Sequence, residues 1–169
     1  MKMVAFIMLF TFVHPAIGQN PKPFTSLDFD KVIMYDFNGA EDGEAPYIVD
    51  TKGVISSEVV KQTELSMDEV KAFNAKIESK KSYGEATGPC FDPHLGFVYY
   101  FNKIIVAHVT ISLECNRLHP SMEIPAQLQG KVSVSTDTYY TKTGMSSSCR
   151  HFINKMVIRH SFSHPLAGH

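Results

Sequence analysis

No stretch of this 169-residue chain is long and apolar enough to cross a bilayer. A spanning helix needs about 20 apolar residues. The mostly apolar run at residues 4–13 reaches about half that before His14-Pro15 interrupts it. Cysteine is scarce, with Cys90, Cys115 and Cys149 and no C-x-x-C pair, so neither a disulfide-dense scaffold nor a thioredoxin-type redox pair is written here. Neither sign of charge dominates: 16 Lys and Arg stand against 17 Asp and Glu, interspersed along the chain. Nothing therefore steers nucleic acid or an anionic membrane surface. There is no G-x-S-x-G elbow, H-E-x-x-H pair, P-loop or dinucleotide fingerprint. Those absences exclude the families that carry the motifs and leave other enzymes open, because triads assemble from distant positions.

What is present starts with Met1-Lys2-Met3, the apolar run, and the small residues Ala16 and Gly18. This is the three-part pattern of a signal peptide, with cleavage expected before Gln19 and residues 1–18 removed. No cysteine stands at the junction, so a lipoprotein anchor is not expected. The mature chain is expected to be exported, periplasmic or extracellular, without a membrane span. Loss of Lys2 leaves 15 basic against 17 acidic residues. The remaining chain, about 150 residues, is enough to bury a core without metal or several disulfides.

Residues 19–27 carry two prolines and read as an extended lead-in, residues 28–160 as one α+β domain, and residues 161–169 as a flexible tail. The β-branched and aromatic run at 31–37 predicts a strand ending at Asn38-Gly39. Residues 46–49 and 53–55 flank a turn and predict a short hairpin continuing through 57–63. A weaker strand is expected at 132–134. Ser66 with Glu69 fits a capping box, and Val70, Phe73 and Ile77 form one stripe, which predicts a helix near 67–81. A second helix, near 147–158, is expected to start at one of Ser146, Ser147 or Ser148. Its apolar face would hold Cys149, Phe152, Ile153, Met156 and Val157. The basic, His-rich end of the chain, from Arg150 to His169, reads as a solvated helix face and a frayed tail. Residues 36–44 resemble a calcium loop only superficially, since Ala40 and Glu41 occupy positions that need a ligand oxygen and a glycine.

The most informative segment is 90–115. Two β-rich runs flank Asn102-Lys103, a hairpin turn in which residue n faces 205 − n by simple counting. Cys90 then faces Cys115 at a non-hydrogen-bonded pair, a separation a disulfide can bridge. Pro93 interrupts the ladder on the way. The same register places Cys90, His94, Gly96, Val98 and Tyr100 on one core face with Ile105, Ala107, Val109, Ile111, Leu113 and Cys115. Both faces are apolar near the turn, so the hairpin is expected to be central, with the two helices as its cover.

With its C-F-D-P-H opening, Lys103 to Ala107 middle and Cys115-Asn116-Arg117 close, this hairpin resembles a pattern in uncharacterised exported bacterial proteins. The likeness covers about a third of the mature chain. It implies export and a similar hairpin, and brings no known activity. Where those proteins close the second strand with C-x-x-C, Ser112 stands in place of the first cysteine, which weakens any metal or redox role carried over from them.

The sequence thus predicts an antiparallel sheet with two amphipathic helices packed on it. The leading functional expectation is a non-catalytic exported binding or accessory protein without a cofactor, its partner unspecified. One alternative is a zinc-binding protein using Cys90, His94 and Cys115, with His119 as a fourth ligand, because thiolates and imidazoles in fours suit zinc. Another is a thiol-redox protein. Cys149, on the helix stripe, is expected to be buried and inert.

Overall fold

The structure, a computed structural model, describes residues 22–39, 47–127 and 143–166. The leader, residues 19–21, most of the acidic loop, the weak strand at 132–134 and residues 167–169 lie outside them.

The fold is α+β. Among the described residues five strands, β1 (Lys31–Phe37), β2 (Val59–Glu64), β4 (Leu95–Phe101), β5 (Ile104–Ser112) and β6 (Arg117–Pro120), form one sheet. Its order is β2-β1-β4-β5-β6, with antiparallel neighbours throughout. Two short strands, β3 (Tyr83–Glu85) and β7 (Gly144–Met145), pair separately. The helices α1 (Met67–Ile77) and α2 (Ser147–Arg159) pack on one face of the large sheet. No helix among the described residues is long and apolar enough to cross a membrane.

Each helix begins where its cap dictates. Ser66 accepts from the Glu69 N–H while the Glu69 carboxylate takes the Ser66 N–H, so both halves of the capping box are made. Ser146 caps α2. Helix α1 stops at Ile77, short of the expected 81, because the chain there tightens into a 3₁₀ turn, Lys80–Ser82, capped by Ser79. Phe73 of α1 stacks on Phe97 of β4 with ring centroids 3.8 Å apart, joining helix and sheet.

Both ends of the described chain are drawn into the core rather than left as lead-in and tail. Phe24 is fully buried. Its N–H donates to Glu78 and its carbonyl accepts from Asn74, so the polar backbone it brings inside is satisfied. Phe162 is buried at the other end, and the Leu166 N–H donates to Asn154.

The central hairpin turns at Asn102 and Lys103, both at positive φ. Its register changes partway along. Tyr100 faces Ile105 as counted, but Tyr99 then faces Ala107, leaving Val106 as an extra residue. The bulge corrects the expected faces. Leu95, Phe97 and Tyr99 share the helix-covered face with Ala107, Val109 and Ile111, while Gly96, Val98 and Tyr100 turn to the other side. Without it, Leu95 and Phe97 would face Thr110 and His108, and the apolar halves of the two strands would be on opposite faces. Among the described residues no helix covers the second face. Ile48 and Val49 pack there against Tyr35, Phe37 and Val98.

Candidate functional site

The disulfide predicted from the hairpin is present: Cys90 and Cys115 are joined, with Cα atoms 5.5 Å apart. The ladder does not carry the pairing that far. Beyond Leu95 the first strand leaves the sheet, and Gly88 donates its N–H to the Cys115 carbonyl in a separate contact. The disulfide thus pins an irregular segment, residues 88–94, to the turn between β5 and β6. A disulfide is compatible with an oxidising, exported location.

The four candidate zinc ligands are not assembled. Both cysteine sulfurs are bonded to each other, and a thiolate ligand requires them reduced. His119 lies on the face opposite the helices, paired with Thr110, and packs against Phe91 and Tyr47. Partial burial, then the nearby Arg117, lower its pKa from the ordinary histidine value. His94 instead enters a cleft on the helix side. No group of three or more His, Cys, Asp or Glu side chains is placed to hold a metal among the described residues. Cys149 is buried as expected, and burial pushes its thiol up to about 11, which keeps it protonated and unreactive at neutral pH.

The cleft that His94 enters is small, but it gathers five titratable side chains, Asp36, Asp92, His94, Glu114 and His164. Its floor is apolar: Leu95 of β4, Ile111 of β5, Leu113 in the turn after it, Val157 of α2 and Phe162 beyond that helix. Polar groups converge over that floor. Asp36, near the end of β1, is 1% exposed and accepts from the Ser163 N–H at 2.6 Å and from His164 Nδ1 at 3.0 Å. These bonds satisfy a carboxylate that would otherwise be costly to bury. The His164 ring stacks on His94, with centroids 3.9 Å apart and planes 13° from parallel. His94 in turn places Nδ1 3.1 Å from the Phe37 carbonyl and Nε2 3.4 Å from Asp92. Asp92 and Glu114, both exposed, complete the rim.

Hydrogen-bond chemistry fixes the tautomers of both rings. A carbonyl oxygen only accepts, so His94 Nδ1 carries the proton. The Asp36 carboxylate accepts from Ser163 through its other oxygen, and His164 Nδ1 is the donor to it. In a neutral ring each Nε2 is then an unprotonated acceptor. The space among these groups is small, about 20 Å³ for the centre of a water-sized group. That is close to one water's requirement.

No family model matches this chain. Nor does any curated protein or solved structure match it.

Of the residues singled out by sequence, the structure joins Cys90 to Cys115 and brings His94 to the cleft. Sequence reasoning missed Asp36, Asp92, Glu114 and His164. One signal for Asp36 was legible: it follows Val32 and Met34 at two-residue spacing, placing a carboxylate on the strand's inward face. His164 lay in a segment read as tail, and no local pattern ties it to Asp36, 128 positions away.

Proposed function

We propose that this chain is a non-catalytic exported binding or accessory protein, with the cleft between β1, β4, the 88–94 segment and the chain after α2 as its contact site. The cleft supports this reading: it joins an apolar floor to a polar rim, the composition of a small-ligand site. Its two imidazoles are bonded to carboxylates and a carbonyl rather than to a serine or cysteine nucleophile. Export is supported by the signal-like leader, the likeness of the hairpin to exported bacterial proteins, and the disulfide.

The zinc reading needs Cys90 and Cys115 reduced, and it is tested directly. Protein purified without chelator and with its disulfide intact should bind a small ligand without consuming it, read as a rise in melting temperature that Leu113→Asp abolishes. One zinc per chain, lost on Cys90→Ser or Cys115→Ser, would reverse the ranking in favour of the metal protein. Multiple turnovers of the ligand would overturn the non-catalytic reading.

A further inference from the structure

We infer that the stacked imidazoles of His94 and His164 are an acid-opened gate on the cleft, an inference that rests on the binding reading above and names how that site is regulated. The two rings lie 3.9 Å apart and 13° from parallel. Each has its own carboxylate: Asp36 of β1 lies 3.0 Å from His164 Nδ1, and Asp92 of the 88–94 segment lies 3.4 Å from His94 Nε2. Glu114, in the turn after β5, is the other acidic group on the cleft, and α2 contributes Val157. No lysine or arginine lines it among the described residues.

The stack therefore answers to the number of protons it holds. With both rings neutral, or with one charged, the parallel contact is undisturbed, and a single imidazolium is balanced by its carboxylate. A second proton sets two cations face to face at contact distance, where like charges repel. Separated rings carry both protons without that repulsion. The open arrangement thus binds more protons than the closed one, and falling pH favours it.

The two rings are not equally held. His164 is bonded to a carboxylate that is 1% exposed, and its departure would strand that charge in the core. His94 faces Asp92, whose side chain is 59% exposed, so a charged His94 that turns outward keeps both that carboxylate and water. His94 is the ring that yields. Its backbone stays in place, because its carbonyl accepts from the Phe37 N–H at 3.1 Å, and only the side chain turns. The closed cleft offers about 20 Å³ for the centre of a water-sized group, so moving an imidazole out of its wall makes the space a ligand needs.

The test follows the full oxidised protein by NMR from about pH 8 to about pH 5, the span in which histidine changes charge. The cross-relaxation peak between the His94 and His164 rings should be at least threefold weaker at the acid end. The Ser163 amide, bonded to Asp36, should keep its chemical shift. His94→Phe and His164→Phe each retain a stacked ring and remove one of the two charges. In both, the ring-to-ring peak should hold across the whole span, and either variant suffices should the other fail to fold. Glu69→Gln, remote from the cleft, should respond as wild type does. A wild-type peak as strong at the acid end overturns the gate. Equal weakening in a phenylalanine variant overturns it too, because the pH response then lies elsewhere. So does a Ser163 shift lost together with the peak, because the whole strap has then moved. No ligand enters the experiment, so its failure leaves the binding reading intact, and failure of the binding test leaves the ring motion measurable.

Discussion

Gly96 shows how closely the second sheet face is filled. A Cβ built there would lie 2.4 Å from Ile48 Cγ1, and Ile48 is itself fully buried against Thr110, Tyr35 and Val98. Gly96→Ala should therefore destabilise the protein by about 1–3 kcal/mol, the usual range for overpacking, measured as a fall in the urea midpoint. Glu69 makes a second residue-scale prediction. Burial alone would raise its pKa, but hydrogen bonds from Ser66, Arg159 and His160 outweigh it and bring the carboxyl from 4.5 down to about 2. A depressed acid stabilises the fold at pH above its unfolded value, and that contribution is lost as pH falls from about 4.5 through about 2. Wild type should lose stability across that window more steeply than Glu69→Gln, measured by denaturation midpoints at pH 6 and pH 2.5.

At the scale of elements, the chain after α2 behaves as a strap rather than a tail. Lys61 donates to the carbonyls of His160 and Ser161, Asp36 takes Ser163 and His164, and Asn154 takes Leu166. Asp36→Ala leaves the Ser163 N–H and His164 without their shared acceptor. It should cost about 1–3 kcal/mol and expose residues 163–166 to proteolysis while α2 stays protected. The disulfide braces the other wall of the cleft, closing a loop of sequence separation 25. Its loss should cost roughly 3 kcal/mol, with Cys90→Ser, Cys115→Ser and the double variant alike in stability, because each removes the same bond.

The elements were legible where local chemistry fixes them and illegible where distant chemistry does. The bounds of β1, the Asn102-Lys103 turn and the capping box of α1 follow from residues within a few positions of one another. The bulge at Val106 does not follow from turn geometry. It follows from the need to put Phe97 and Val109 on one face, a conflict present in the alternation but outweighed by regular counting. The disulfide was correctly paired although the ladder used to derive it ends before reaching it. Cys90 and Cys115 are held close by the Gly88 to Cys115 contact as well as by the hairpin. The cleft draws on β1, the hairpin and the strap, and its stacked histidines are 70 positions apart in sequence, so no window of sequence contains it.

For the whole molecule, an antiparallel five-stranded sheet with both helices on one face should give a mixed circular dichroism spectrum, and an almost purely helical one would be incompatible with the fold. We propose an exported module whose candidate binding cleft is braced by the Cys90–Cys115 disulfide, with the third thiol, Cys149, buried in the core. Mass spectrometry of the unreduced protein recovered from outside the cytoplasm tests that claim most directly. The expected result is a chain beginning at Gln19, a single Cys90–Cys115 bridge, and Cys149 as a thiol that alkylates only after unfolding. An intact leader, a bridge through Cys149, or three free thiols would contradict it.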